Sequence, residues 1–156
     1  MGSVFSGKNA FCNGKESLVN EELELFIRGF VQRDKQERYR TLLCNPKQPE
    51  RRRDGLWDLL HDGRHLERKN WMRIPHYQVT SVATHLAALG AQGLGYVMAV
   101  QGELDDQRVA LPVVLAQYLG HSKDVLAFFA QANAGYYENH EGEVYVFAKK
   151  PVQWRV

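Results

Sequence analysis

The sequence predicts an α+β fold, because helical patterns fill the first half of the chain and strand patterns fill the second. Apolar residues before position 73 recur at the spacing of an amphipathic helix. After position 74, short runs rich in β-branched and aromatic residues dominate. Such segregation is typical of α+β folds rather than of doubly wound sheets. We expect an N-terminal helical half packed against a small, at least partly antiparallel sheet of about four strands, with two further helices.

The chain of 156 residues has the length of one domain. Residues 1–16 are rich in Gly, Ser, Asn and Lys, which predicts a flexible N-terminal arm. We therefore expect a single α+β domain over residues 17–156, with a helical part (17–73) and a mixed part (74–156).

Three helices are predicted in the helical part. The first is indicated by apolar residues on one helical face, namely Leu23, Phe26, Ile27, Phe30 and Val31. Asp34 followed by Glu37 resembles a capping box, so a second helix should run from Asp34 to about Cys44. Pro49 suits the first position of a third helix, and Gly63 should end it.

In the mixed part, Ser81 and Pro112 mark the starts of two helices. Strands are predicted over 94–100 and 125–130, followed by a hairpin over 136–149. Within the hairpin, small aliphatic residues alternate with Tyr145 and Phe147, so both faces of its second strand are apolar. We therefore expect helices on both faces of the sheet, with Phe26, Phe30 and Trp57 covering one of them.

The net charge of +2 is small, but it is unevenly distributed. Residues 28–73 contain 13 basic and 7 acidic residues. Polyanion binding needs Lys and Arg on one face, with aromatic residues to stack on exposed bases. The candidate polyanion- or partner-binding residues are Arg38, Arg40, Lys47, Arg51, Arg52, Arg53, Arg64, Arg68 and Lys69. The alternative is a solvated helix surface, because three consecutive arginines on a helix point in three directions.

Two other groups resemble sites of catalysis or metal binding without completing one. His61 and His65 have the spacing of a shared metal site, but Gly63 lies between them and the ligand set is incomplete. Glu103, Asp105 and Asp106 can hold Mg²⁺, or they can be ordinary turn residues. No nucleophile motif or phosphate-binding loop is present, so the sequence predicts no cofactor and no metal, and it identifies no catalytic residue.

The leading hypothesis is a non-enzymatic cytoplasmic module that binds another protein, such as an inhibitor, an immunity-type protein or an adaptor. A nucleic-acid-binding protein that uses residues 38–69 is the alternative, and a metal-assisted hydrolase or nuclease is the second. The sequence does not decide whether the chain is an enzyme. Cys12 and Cys44 are expected to be reduced thiols in the cytoplasm. No apolar run reaches the ~20 residues of a membrane span, so no membrane partner is expected.

Overall fold

The computed structural model describes residues 18–44, 48–75 and 79–149. The predicted arm over residues 1–16 lies outside these ranges. The helices are α1 (Leu18–Phe30), α2 (Gln36–Leu43), α3 (Pro49–Leu60), α4 (Val79–Ala88) and α5 (Leu111–Tyr118). The strands are β1 (Met72–Arg73), β2 (Leu94–Ala99), β3 (Gln107–Ala110), β4 (Val125–Phe129), β5 (Ala134–Glu138) and β6 (Val144–Ala148). No helix within these ranges is long and apolar enough to cross a membrane.

The six strands form one sheet in the order β1-β6-β5-β4-β2-β3, and every pair is antiparallel. The predicted α+β fold is confirmed, but the expected number of about four strands is too low. The two strands that sequence reasoning missed, β1 and β3, are the edges of the sheet. They have two and four residues, too few to show a period of two.

The sheet separates two hydrophobic cores. Alternate residues of a strand point to opposite faces, so Tyr96 and Met98 pack against α1, α2 and α3, while Val97 and Ala99 pack against α4 and α5. The prediction that helices cover both faces of the sheet is thus confirmed. The core on the α1–α3 side contains more aromatic residues than the core on the α4–α5 side, which is mainly aliphatic.

Of the three aromatic residues predicted to cover this face of the sheet, Phe26 and Phe30 do so and Trp57 does not. Phe26 and Phe30 are buried against Phe128 and Phe147, as expected. Trp57 is 49% exposed, so its expected place beneath the helical layer is wrong. The leucines of α3 fill that space instead: Leu56, Leu59 and Leu60.

Two predicted helix caps are also wrong. Residues 33–35 form a 3₁₀ turn, and α2 begins after it at Gln36. Asp34 therefore lies inside the turn. The Gln36 side chain donates to the carbonyl of Val31 at 3.0 Å, which satisfies an acceptor at the end of α1. Ser81 lies within α4 rather than before it, whereas Pro49 does occupy the first turn of α3.

Cys44 follows α2 and is disulfide-bonded. The expectation of a reduced thiol is therefore wrong for Cys44.

Candidate functional site

Three side chains with metal-ligating groups converge within the described part of the chain. They are His61, Asp124 and His140, and one ligand atom of each lies within 4.8 Å of the others. His61 follows the last residue of α3, Asp124 immediately precedes β4, and His140 lies in the turn between β5 and β6. Tertiary structure alone brings these three segments together.

The β5–β6 hairpin is attached to the end of α3 by two hydrogen bonds. The hydroxyl of Tyr137 donates to the carbonyl of Leu60. One residue further along α3, the carbonyl of His61 lies 2.8 Å from Nδ1 of His140. A carbonyl can only accept, so Nδ1 of His140 carries the proton. These bonds set the position of His140 relative to His61.

A buried carboxylate, Glu138, holds the loop that leads to Asp124. Glu138 is 0% exposed and accepts from the backbone N–H groups of Gly120 (3.1 Å) and Ser122 (2.9 Å). The oxygen that faces Gly120 at 3.1 Å, Oε1, also accepts from the hydroxyl of Tyr136 at 2.5 Å. Charge-assisted bonds of this kind are about twice as strong as neutral ones. Glu138 therefore fixes the loop from which the Asp124 side chain projects.

The two imidazoles belong to a column of three stacked rings. His61 and His140 lie 3.7 Å apart between ring centroids and are parallel to within 5°. Trp57 stacks on His61, with the centroids 4.3 Å apart and an angle of 23° between the rings. The side chains of His61 and His140 are 31% and 38% exposed, so the column is open to solvent.

Asp124 lies beneath the column and is almost completely buried. Its side chain is 7% exposed, and Oδ2 lies 3.2 Å from Nδ1 of His61. Its other oxygen, Oδ1, is buried without a hydrogen-bond partner. Oδ1 lies 3.8 Å from Nδ1 of His140, beyond hydrogen-bond distance. An unsatisfied buried acceptor costs about 1–3 kcal/mol, and more when it is charged, so this oxygen calls for a cationic or donating partner.

The separations between these groups are close to those around a single bound ion. Nitrogen and oxygen ligands lie about 2.0–2.2 Å from a zinc ion. Two ligands of one ion are therefore no more than about 4.4 Å apart. Oδ2 of Asp124 lies 3.2 Å from Nδ1 of His61, and Oδ1 lies 3.8 Å from Nδ1 of His140. One ligand atom of each residue lies within 4.8 Å of the others, so a small side-chain movement would bring all three ligands to one ion. Binding through Nδ1 would displace its proton, as metal binding commonly does.

His65, which the sequence suggested as a second metal ligand beside His61, belongs to a different hydrogen-bond network. His65 Nδ1 lies 2.6 Å from the hydroxyl of Tyr39, which donates to Asp58 at 2.7 Å. Gly63 adopts φ 70°, which ends the helical path and turns His65 away from His61. Burial lowers the pKa of His65. Burial alone would raise the pKa of Asp58, but hydrogen bonds from Tyr39 and Arg38 outweigh it and lower that pKa.

The acidic group over 103–106 faces an arginine. Both oxygens of Asp105 accept from Arg52, each at 2.9 Å. Asp106 accepts from the hydroxyl of Tyr96 at 2.9 Å, and that hydroxyl also accepts from Arg52 at 2.9 Å. Glu103 is exposed. The Asp105 and Asp106 carboxylates are therefore partners of a guanidinium, which is a structural role.

Two of the candidate polyanion-binding arginines are partners of internal carboxylates. Arg52 is 8% exposed and pairs with Asp105. Arg40 donates to the buried carboxylate of Glu24 at 2.9 Å and 3.0 Å. Lys47 lies outside the described residues. Arg40 and Arg52 thus connect helices to each other and to the sheet.

The other candidates are closer to solvent. Arg38 and Arg64 both donate to Asp58, at 3.1 Å and 2.9 Å. Arg68 lies over the ring of Tyr145, 5.5 Å from its centroid. Arg51, Arg53 and Lys69 are exposed, as Arg38 and Arg64 are. Their role in binding a polyanion or a partner stays a prediction.

Sequence reasoning did not identify Asp124 and His140 as members of a site, although His140 is an exposed residue of the hairpin turn. The available signal was weak: a histidine in the turn of a hairpin, and an aspartate directly before an apolar strand. Neither residue lies near His61 in the sequence.

Comparison with known proteins adds no name to this site. No family model, no curated protein and no solved structure matches the chain.

Proposed function

We propose that this protein binds one divalent transition-metal ion through His61, Asp124 and His140, and that the ion is central to its activity. The observation that carries the proposal is the Oδ1 atom of Asp124, which is buried, lacks a hydrogen-bond donor and lies beside two imidazoles. A cation at this position would satisfy the carboxylate. The proposed metal site departs from the sequence-based expectation of no cofactor and no metal.

The ligand types favour certain metals. Two imidazoles and one carboxylate suit zinc, nickel, copper or iron, whereas magnesium and calcium prefer oxygen ligands alone. Three protein ligands leave at least one coordination position free, as in catalytic rather than structural zinc sites. The partial exposure of both imidazoles gives water or a substrate access to that position. This arrangement supports metal-assisted hydrolysis better than it supports a closed structural site.

The test is calorimetric titration of the full chain, without a histidine tag, with Zn²⁺ and Ni²⁺. We expect one ion per chain. His61→Ala and His140→Ala should each weaken binding by more than the 10–100-fold that is typical for loss of a supporting partner. Asp124→Asn keeps the shape of the side chain and removes the charge, so it should also weaken binding.

His121→Ala is the matched control, because His121 is an exposed imidazole three residues from Asp124. It should leave the affinity unchanged. The proposal fails if the wild-type chain binds no ion, or if His121→Ala weakens binding as much as His140→Ala does.

Binding of a partner protein, the leading hypothesis from the sequence, rests on uneven charge alone and stays a prediction. The cytoplasmic location also stays a prediction, and the disulfide at Cys44 weighs against it, because disulfides persist mainly in oxidising compartments.

A further inference from the structure

The column of rings ends at an aromatic side chain that is half exposed. Trp57 has one face on His61, and 49% of the residue is open to solvent. Arg53, Trp57 and His61 are successive at intervals of four residues, so they share one face of α3 and its continuation. The free face of Trp57 is thus directed toward the preceding helical turn, where Arg53 carries an exposed guanidinium.

We propose that this surface, defined by Arg53, Trp57, His61 and His140, binds single-stranded nucleic acid. A base stacks on Trp57, and the adjoining phosphates contact Arg53 and the ion. The proposal rests on the proposed metal site for the ion's part. It names the class of substrate that this site would receive.

A polymer strand fits this surface better than a small molecule does. Small-molecule sites are concave, whereas this surface is the exposed face of a helix. Single-stranded nucleic acid is bound by aromatic side chains on which bases stack, combined with cations that follow the backbone. A duplex fits less well, because its base faces are already stacked on one another.

The charges explain why the ion is needed. Without it, the group behind the imidazoles is the carboxylate of Asp124, which repels a phosphate. A divalent ion reverses the local charge and offers a free coordination position to a phosphate oxygen. Strand binding should therefore depend on the metal.

The experiment is fluorescence anisotropy of labelled ten-nucleotide single-stranded DNA and RNA with the full chain, in Zn²⁺ or in chelator. We expect chelator to weaken binding. Trp57→Ala should weaken binding about 10-fold or more, as loss of one stacked base does, and Trp57→Phe should restore most of the affinity. Arg53→Ala should reduce the slope of log affinity against log salt by about 0.7.

Arg33→Ala is the matched control, because Arg33 is also an exposed arginine but lies in the 3₁₀ turn before α2, outside this surface and outside the candidate polyanion-binding residues. It should leave the affinity and the salt slope unchanged. A mononucleotide or a duplex of the same length should bind much more weakly than the single strand.

Four results would overturn the proposal: no complex with the wild-type chain, equal affinity for duplex and single strand, a Trp57→Ala variant that binds as wild type does, or equal effects of Arg33→Ala and Arg53→Ala. If calorimetry shows ion binding and anisotropy shows no complex, the metal site stands and this inference fails. If the strand binds equally well in chelator and calorimetry shows no ion, the proposed metal site fails. The proposed contact between phosphate and the ion then fails with it.

Discussion

Phe147 is the residue whose truncation tests the packing of the helical half on the sheet. It is fully buried in β6. Its ring stacks on Trp71 at 4.4 Å between centroids and meets Phe30 at 5.0 Å and Phe26 at 6.1 Å. A Cβ at Gly135 would lie 2.5 Å from the Phe147 ring, so the ring fills the space beside this glycine.

Phe147→Ala should lower the free energy of unfolding by about 3–5 kcal/mol. The upper half of that range is expected for two reasons. Gly135 has no side chain that can move into the cavity. Each lost aromatic pair is also worth about 0.5–1.5 kcal/mol beyond the buried area. A loss of this size is a large share of the roughly 5–15 kcal/mol typical of a domain.

Urea denaturation followed by far-UV circular dichroism measures this change. Val113→Ala is the control, because Val113 is an aliphatic residue that is 49% exposed on α5. It should change stability by no more than about 0.5 kcal/mol. A loss below about 1 kcal/mol for Phe147→Ala, the size of a surface effect, would refute the packing of α1–α3 on this face of the sheet.

Three further predictions concern charge and redox state. Arg52→Met should cost about 1–3 kcal/mol, because it leaves the part-buried carboxylate of Asp105 without its guanidinium partner, whereas Arg53→Met should stay within about 0.5 kcal/mol in the same urea assay. Because folding lowers the pKa of His65, the unfolded chain takes up the proton more readily, so stability should fall as the pH drops through about 6.5. Urea midpoints at pH 7.5 and 5.5 should differ less in His65→Gln than in the wild type, and an equal difference would contradict this origin. Maleimide labelling of the unreduced, folded chain should leave Cys44 unmodified, and labelling there would show a free thiol.

The sequence predicted those parts of the fold that depend on local periodicity. The apolar face of α1 and the alternation in β6 each repeat over enough residues to define an element and its buried side. The edge strands β1 and β3 could not be found in this way. Met72 and Arg73 form a strand only because they pair with Val146 and Tyr145, and that pairing is a tertiary event.

The candidate site was less predictable for the same reason. His61 and His65 are four residues apart, which suggested a shared ion, but the left-handed backbone at Gly63 separates them. The actual neighbours, Asp124 and His140, come from the sheet. Among the basic residues, the sequence could not distinguish Arg52 from Arg53, because charge is the same and only the orientation around α3 decides which one is buried.

His61, Asp124 and His140 are far apart in the chain, so their site exists only when α3, the loop before β4 and the β5–β6 hairpin are all in place. An unfolded chain offers an ion separate ligands and little affinity. An ion that binds the folded form alone adds about 2.7 kcal/mol of stability at a free concentration 100 times its Kd. Metal supply would then tune the free energy of unfolding, and a chelator would lower it without contacting any other part of the molecule.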